Sequence, residues 1–514
     1  MRTKHVRGCS LFGFAWMRCY GMILLLSGVA SYFPAGQAQG QEMLGSTLGN
    51  FSGVNGLLLN PSAIHNSKTY LDIQLLGANL SLQNNYLFMK KYDYRFSNFF
   101  RSGYQWPTHS EDYGTEERIF YHYANTRDKN LYLQARVDGP GAMLTIGKHA
   151  FALTTAVRAV LSGSNIPHDV ANFLYLGLNY RPQQGVPYHD QGRMSAAAMA
   201  WAEIGLTYGN VVYARGFDRI AAGITVRRLL GYGGMYFSAT KLDYTVLDDS
   251  TLDVRNMQAE VGMSLPVGYD NNSYQTSPLV KGGGFSTDIG VTYTRLARYH
   301  QPEYFNSLCA QPYEDYRYRV GIAVIDFGGI RFSDHALRLK IDNRSSYWEH
   351  VTHMNFRTVR QLLDTVSYKF YGNNTEAYDG ERFTLWLPTA LSVQFDYHLK
   401  NFWYLNASLV QGIPVTRKEL RRPSELSITP RYESRWFEAS LPVSFYDWQT
   451  ARVGLALRAY GFTIGTDKLG GFLHISDFTG LDFYFSLRFF LDKGNCRLKG
   501  PVHCGTLESH KIRK

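Results

Sequence analysis

Few side chains in this sequence stand at spacings that catalytic chemistry would need. His149, His398 and His474 have no serine or acid at the separation typical of a catalytic triad. The chain also lacks the G-x-S-x-G and H-E-x-x-H patterns of many hydrolases and zinc peptidases. We therefore predict no catalytic residue and no cofactor, and we expect that the protein is not an enzyme.

Two further groups of residues resemble ligand sites superficially. Asp248, Asp249 and Asp253 form an acidic tip, which calcium could bind but which a solvated turn explains better. Gly282-Gly283-Gly284 resembles a phosphate-binding loop, yet a strand pattern rather than a helix follows it. We predict a solvated tip, a flexible link and no metal site.

The beginning of the chain predicts export. A basic stretch, a short apolar core from Met22 to Ala30 and small residues up to Ala38 are typical of a secretory signal peptide over residues 1–38. Without this segment the chain has 49 basic and 42 acidic residues, a balance too mild for a nucleic-acid-binding surface. The three cysteines that remain have no metal-ligand spacing.

Strict alternation of side chains is the strongest pattern after residue 38, where no apolar run is long enough for a membrane helix. In residues 480–491, large apolar side chains oppose a face that carries Asp482 and Arg488. Such charges would be buried between two packed sheets, but they would be hydrated inside a transmembrane barrel. We therefore predict an all-β fold, a closed antiparallel transmembrane barrel, rather than a soluble sandwich or propeller.

The alternation predicts about fourteen strands between residues 67 and 491. Their predicted ranges are 69–88, 131–146, 149–165, 197–213, 219–245, 251–262, 285–297, 315–330, 335–348, 382–399, 401–415, 424–446, 451–465 and 479–491. Short and long links alternate between them, as periplasmic turns and external loops do in outer-membrane barrels. The long link 263–284 breaks this rule. Helical spacing in Asp169–Leu176 and Asn355–Thr365 predicts helices in external loops that could cover the pore mouth or pack on other loops.

The strand count also predicts where the cysteines lie. It places Cys309 in an external loop, and Cys496 and Cys504 in a weakly ordered periplasmic tail, residues 492–514. Because these positions are on opposite membrane faces, the only bridge we expect is Cys496–Cys504.

Several stretches carry a family resemblance. "RYESRWFEASLPVS" (431–444), "TIGTDKLGG" (463–471), "SDFTGLDFYFSLRF" (476–489), "GFSTDIGVTYT" (284–294) and "YRYRVGIAVIDFGGI" (316–330) resemble an uncharacterised family of bacterial outer-membrane barrels. That family is similar to fatty-acid-transporter-like (FadL-type) barrels and to barrel subunits of type IX secretion and gliding machineries. The resemblance covers roughly residues 42–491.

The resemblance implies a role for residues 39–66. Fatty-acid-transporter-like barrels begin with a hatch that carries Asn-Pro-Ala and plugs the lumen. Here Asn60-Pro61 is followed by Ser62, which departs from that pattern. Pro61 must turn the chain, since it has no amide hydrogen and disfavours a helical Asn60. The predicted hatch and gating residues are Gly53, Gly56, Leu57, Leu58, Leu59, Asn60, Pro61 and Ser62.

The sequence is compatible with three classes of function. One is a passive outer-membrane transporter for hydrophobic or amphipathic small molecules; another is a scaffold for a partner in surface secretion or gliding; a third is a barrel-embedded lipid-modifying enzyme. Expected partners are membrane lipids and the barrel-assembly machinery, with no nucleic acid. The predicted lumen-facing residues are mixed polar: Asp288, Gln394, Asp396, Glu438, Ser440, Asp482 and Arg488.

Overall fold

A closed antiparallel barrel of fourteen strands forms the body of the protein, as predicted. The structure, a computed structural model, describes residues 42–110, 117–275, 277–300 and 305–494. The predicted signal peptide and nearly all of the predicted tail lie outside these residues. The last strand pairs with the first along its whole length, so the barrel has no free edge.

The strands follow one another in chain order. They are β1 (Thr69–Asn84), β2 (Lys129–Asp138 and Gly141–Ile146), β3 (His149–Ile166), β4 (Met194–Arg215), β5 (Asp218–Val246), β6 (Leu252–Ser264 and Gly282–Leu296), β7 (Tyr316–Phe332 and Ala336–Trp348), β8 (Tyr378–Gly380, Phe383–Trp386 and Ala390–Lys400), β9 (Trp403–Gly412), β10 (Glu425–Glu433), β11 (Phe437–Ser440 and Val443–Tyr446), β12 (Thr450–Val453 and Leu455–Ala459), β13 (Phe462–Thr466) and β14 (Gly480–Asp492).

Helices and small hairpins are confined to the segment before β1 and to the loops. The helices are α1 (Leu44–Thr47), α2 (His168–Leu176), α3 (Val359–Tyr371) and α4 (Leu469–Phe472), with 3-10 turns at Gly53–Leu58, Pro61–His65, Phe96–Phe100, Arg181–Gln183, Leu308–Ala310 and Val351–His353. The loops also contain short strands at Leu87–Phe88, His109–Ser110, Glu117–Arg118, Tyr121–His122 and Pro187–Tyr188. α3 packs on Met263, Leu339 and Ile341 of β6 and β7.

The number of strands is the predicted one, but several predicted ranges are wrong. β5 pairs with residues 252–264 over its second half and with residues 282–296 over its first half. The two stretches are therefore one interrupted strand, β6, and β7 is interrupted in the same way. Conversely, the predicted strands 424–446 and 451–465 are each two strands with a tight turn between them. The long link 263–284 is an excursion within β6, which explains why it broke the alternation.

This correction moves one loop to the other end of the barrel. The described part of this loop begins at residues 297–300, which lie beside the turn at Gly216, where the backbone amide of His300 donates to the Gly216 carbonyl. The Gly494 amide donates to the Cys309 carbonyl at 2.8 Å. We call this end, which also carries Lys68 and Asp492, the turn end, and the opposite end the loop end. Cys309 therefore lies at the same end of the barrel as Gly494, and the prediction that Cys309 and the C-terminal tail lie on opposite membrane faces is wrong.

The two faces of the wall differ in chemistry. The outer face exposes large apolar side chains such as Leu206 (64 % exposed), Ile289 (57 %) and Phe285 (61 %). The inner face buries charged and amide side chains, as expected where strands alternate between lipid and lumen. Among the described residues, no helix is both long and apolar enough to cross a membrane.

Candidate functional site: the N-terminal segment inside the barrel

Residues 42–66, called here the N-terminal segment, lie against the inner face of the wall. The segment is built from α1 and two 3-10 turns, and nearly all of its residues are buried. Asn60 is extended (φ −162°, ψ 115°) and caps the second turn, because its Oδ1 accepts from Ser62 N at 2.9 Å and from Ser62 Oγ at 2.6 Å. Pro61 fills the first helical position, where a missing amide hydrogen costs nothing.

Three consecutive leucines reach three different parts of the wall. A 3-10 turn advances about 120° per residue, so neighbouring side chains radiate from its axis. Leu57 packs near Met143 and Ala152, and Leu59 packs near Ala323 and Val410. Leu58 packs against the cluster of Met43, Ala456 and Tyr484. The leucine run thus spreads apolar contacts around the lumen rather than along one face.

The wall is shaped to receive Asn60–Ile64. Gly209, Gly223 and Gly290 are cross-strand partners on β4, β5 and β6 and form what we call the glycine row. A Cβ on Gly223 would lie 2.5 Å from the carbonyl carbon of Pro61, and one on Gly290 would lie 2.2 Å from Asn60 Oδ1. A Cβ on Gly209 would lie 2.4 Å from Ile64 Cγ2. The absence of three side chains in one row therefore lets the segment approach the backbone of the wall.

Side chains of the wall hold the same motif by hydrogen bonds. Asn60 Nδ2 donates to Gln394 Oε1 at 3.0 Å, and Gln394 Nε2 donates to the Leu59 carbonyl at 3.1 Å. Ser62 Oγ lies 2.6 Å from Thr292 Oγ1. Ser62, where the sequence departs from Asn-Pro-Ala, is thus a contact to the wall that alanine could not make.

Buried ion pairs anchor the middle of the segment. Arg488 donates to the Phe51 and Ser52 carbonyls, both at 2.7 Å, and to Asp72 Oδ2 at 2.9 Å. Gly53 has a positive φ of 52°, and a Cβ there would lie 2.2 Å from Asp72 Oδ2. Glycine is required at this position both by conformation and by space.

Glu433 anchors the segment near the turn end. It accepts hydrogen bonds from Asn50 N and Nδ2, each at 2.9 Å, and lies 3.1 Å from Lys68 Nζ. Burial lowers the pKa of Lys68, but the Glu433 carboxylate more than offsets this, so that the net pKa is raised. Burial, with Lys493 and Arg219 nearby, lowers the pKa of His65 to about 3, so that its imidazole is neutral.

At the loop end, an inward-folded loop meets the start of the segment. Residues 413–424 bring Leu420 into an apolar cluster with Tyr236, Phe332 and Leu385. Two residues further along the same loop, Arg422 forms an ion pair with Glu42. Its guanidinium also lies 3.1 Å from Asp326 Oδ2.

A layer of charges lies next to that apolar cluster. Arg158 stacks over Trp201, a member of the cluster, and donates to Asp326 at 3.0 and 3.1 Å. Arg227 forms an ion pair with Asp288, and Glu203 lies 3.1 Å from Arg136 of β2. Apolar and charged surfaces thus alternate within one lumen.

All seven predicted lumen-facing residues lie on the inner face, but they do not form one site. Gln394 and Arg488 contact the N-terminal segment directly, and Asp396 lines a cavity beside it. The other four bond to the wall: Asp288 to Arg227, Glu438 to Arg458, Ser440 to Glu438, and Asp482 to the Asp467 amide.

Sequence reasoning missed several anchors of the segment. They are Glu42, Asp72, Thr292, Asp326, Arg422, Arg431 and Glu433. The alternation signal could have found Asp72, Thr292, Arg431 and Glu433, since each has the parity of the inner face. Asp326 could not be found in this way, because it follows the buried Ile325 at an irregularity of β7, where its φ is 56°. No sequence signal points to Glu42 or Arg422, because both lie in irregular segments.

Space around the segment is limited. One cavity of about 50 Å³ is lined by Asn60, Arg319, Gln394, Asp396 and Asn406, and another of about 20 Å³ lies beside Leu57. Asp396 Oδ1 and Asn406 Oδ1 have no protein partner although they are buried. These volumes suit single waters rather than a solute.

Residues first considered for other chemistry lie apart from this site. His149 bonds to Tyr208, His398 to the Asn401 carbonyl, and His474 packs on Tyr94. Asp248 accepts from Ser250 in the β5–β6 turn, and within the described ranges no group of His, Cys, Asp or Glu could hold a metal. Gly282–Gly284 begins the second half of β6 rather than a loop.

The fold and this site define a class: a closed fourteen-stranded antiparallel barrel with a chain segment bound inside it. The chain belongs to the family of unknown function DUF5723, whose model matches residues 61–467. No curated protein matches the sequence.

Similar solved structures are barrels with very low identity. The toluene transporter TbuX of Ralstonia pickettii is 10% identical, with 88% of this chain and 99% of that chain covered and a TM-score of 0.38. A deltaS2S3 mutant of the monoaromatic hydrocarbon channel TodX is 8% identical over 88% and 99%, with a TM-score of 0.38. A FadL homologue of Pseudomonas aeruginosa is 8% identical over 88% and 98%, with a TM-score of 0.22.

Proposed function

We propose that the protein is a gated passive channel of the outer membrane in which the N-terminal segment is the movable plug. The observation that carries this proposal is the way the segment is held. No residue of 42–66 takes part in a strand pairing within the described chain, and its anchors are side chains such as Gln394, Arg488 and Glu433. The segment can therefore leave without breaking a hydrogen bond of the barrel ladder.

The surfaces of the lumen indicate the class of solute. The charged layer at Arg158 and Asp326 would disfavour passage of a purely apolar molecule. The apolar cluster around Leu420 would disfavour passage of an ion. An amphipathic small molecule would find partners on both. We propose amphipathic or hydrophobic small molecules with a polar group as the solutes.

Deleting residues 42–64 tests the movable plug. The expected result is a folded barrel with raised single-channel conductance in planar bilayers, and a smaller rise for Pro61→Ala, which loosens the turn. Folding is checked by the heat-dependent gel mobility of the barrel, and Pro388→Ala, outside the segment, serves as control. A folded deletion variant that stays closed would show that the inward side chains themselves block the lumen.

A scaffold that transports nothing is the second candidate. The density of bonds between the segment and the wall favours it, since two cavities beside the segment have volumes of only about 50 and 20 Å³. A closed lumen in the deletion variant, together with co-purification of a stoichiometric partner from native membranes, would support the scaffold. An open lumen in the deletion variant supports the channel.

A further inference from the structure

The outer wall has a depression where β6 is interrupted. β6 leaves the wall after Ser264, which pairs with Gly234, and returns at Gly282, which pairs with Gly231. Tyr232 lies between these two pairs at an irregularity of β5. The described residues 265–275 and 277–281 leave the wall here, and Pro266 Cδ lies 3.4 Å from the position of a Gly233 Cβ.

Small side chains line the depression across four strands. Ala135, Ala159, Ala200 and Gly233 are successive cross-strand partners on β2, β3, β4 and β5. The adjacent row on the loop side contains Leu133, Leu161, Ala198 and Met235, and Leu265 and Pro266 close the far end. The result is an apolar groove of about 300 Å³, called here the alanine groove.

The side chains around the groove favour a hydrocarbon ligand over a polar one. Its rim side chains Leu133, Leu161 and Met235 are 36–40 % exposed and continue the exposed apolar face of the barrel. No charged side chain lines it, and its one hydroxyl, that of Tyr232, is bonded to the hydroxyl of Tyr274. Water in such a groove would lack the two to four polar partners that it needs.

We infer that the alanine groove binds one acyl chain of a membrane lipid. Bilayer hydrocarbon already faces this part of the wall, so no hydrophobic transfer favours the site, and packing contacts must hold the chain. The floor of the groove is a row of alanine methyl groups and a glycine, with larger side chains beside it. A flexible acyl chain would therefore have van der Waals contacts on three sides. Its volume is at the lower end of the range of about 300–1,000 Å³ for small-molecule sites.

The inference rests on the proposed membrane location but not on the movable plug. If the groove does not bind an acyl chain, lipid will contact the outer face of the barrel evenly. If the N-terminal segment is not a movable plug, the conductance of the deletion variant will be unchanged. The two proposals can therefore fail separately.

Photolabelling of the full chain in phospholipid vesicles tests the groove. A phosphatidylethanolamine with a diazirine on one acyl chain is activated, and adducts are mapped by mass spectrometry. Labels are expected to concentrate on Leu133, Leu161 and Met235 relative to Leu206, which is exposed elsewhere on the outer face. Ala200→Phe, which fills the groove, should reduce these labels by about threefold or more, because only packing holds the chain.

The matched control is Ala202→Phe, two residues along the same face of β4 and outside the groove. It should leave the pattern unchanged. If Ala200→Phe does not fold, Ala159→Leu fills the same row. Equal labelling of Leu206 and Leu161 would overturn the inference, as would displacement of the label by excess free oleate, which would assign the groove to a fatty acid.

Discussion

Arg422 and Glu42 form a two-pronged ion pair that joins a loop from one end of the barrel to the beginning of the N-terminal segment. Arg422 Nε lies 2.8 Å from Glu42 Oε1, and Nη2 lies 2.7 Å from Oε2. The third guanidinium nitrogen reaches Asp326 on β7. Movement of the loop 413–424 and movement of the segment therefore cannot be independent.

Breaking this pair should loosen the distant loop. Glu42→Ala leaves the buried Arg422 with Asp326 alone, and loss of one partner of a buried pair costs about 3–5 kcal/mol. We expect trypsin to cut at Arg417, Lys418 or Arg421 in proteoliposomes at least about tenfold faster than in the wild type. Glu376→Ala, an exposed acid, is the control. An unchanged cleavage rate in Glu42→Ala would show that the loop is held by other contacts.

A single methyl group in the glycine row should displace the N-terminal segment. Gly223→Ala places a Cβ at 2.5 Å from the Pro61 backbone, while alanine is acceptable in a strand. The barrel should fold and its conductance should rise. Gly163→Ala is the matched control, because its Cβ would meet only the flexible end of Ile166, at 3.2 Å. A closed Gly223→Ala channel would mean that the segment adjusts without leaving the wall.

Acid should favour release of the segment through His65. Its pKa is about 3 when seated and near 6.5 once exposed, so the seated state is penalised as the pH falls from 6.5 towards 3. At pH 5 the His65 contribution to this penalty is about 2 kcal/mol, a factor of roughly thirty in the opening equilibrium from this group alone. Asp467, whose pKa burial raises to about 6 and which binds the Leu44 amide, acts in the opposite direction.

Comparing conductance at pH 5 and pH 7 in the wild type and in His65→Gln isolates the His65 contribution. His65→Gln should lose the rise at pH 5, whereas His149→Gln, in an exposed position, should retain it. Identical pH profiles for the wild type and His65→Gln would exclude the His65 mechanism.

The interrupted strand β6 should depend on Gly284. A Cβ there would lie 1.9 Å from the Gly329 carbonyl oxygen, so Gly284→Ala must push β6 from β7 and should abolish the heat-modifiable folded form. A Cβ on the adjacent Gly283 would meet only the end of Arg228, at 3.0 Å, and Gly283→Ala should fold. Normal folding of Gly284→Ala would contradict the close approach of the two strands.

Cys309 is disulfide-bonded, and its partner lies outside the described residues. Because Gly494 bonds to the Cys309 backbone two residues before Cys496, we predict a Cys309–Cys496 bridge rather than Cys496–Cys504. Peptide mapping without reductant checks this pairing, and Cys309→Ser should leave Cys496 free to react with a thiol reagent. A mapped Cys496–Cys504 peptide would contradict the prediction.

Much of the barrel could be predicted because strand alternation is local. Residues 480–491 show by their own order which side chains face the lumen, so Asp482 and Arg488 could be assigned to the inner face from the sequence. The count of fourteen agreed because two merged pairs of ranges offset two divided ranges, whereas the closure of β14 on β1 followed from the same pattern. Register did not, because residues 252–264 and 282–296 each look like a complete strand, and only pairing with the two halves of β5 shows that they are one.

The sequence by itself therefore determined the fold class, the faces of the strands and the turn at Asn60-Pro61, which depend on neighbours along the chain. Only the tertiary structure decided what those residues meet. The glycine row brings together residues from three strands, and the contact of Arg422 with Glu42 joins positions 380 residues apart. Such contacts depend on strand register and on the path of irregular segments, and neither is encoded in a local pattern.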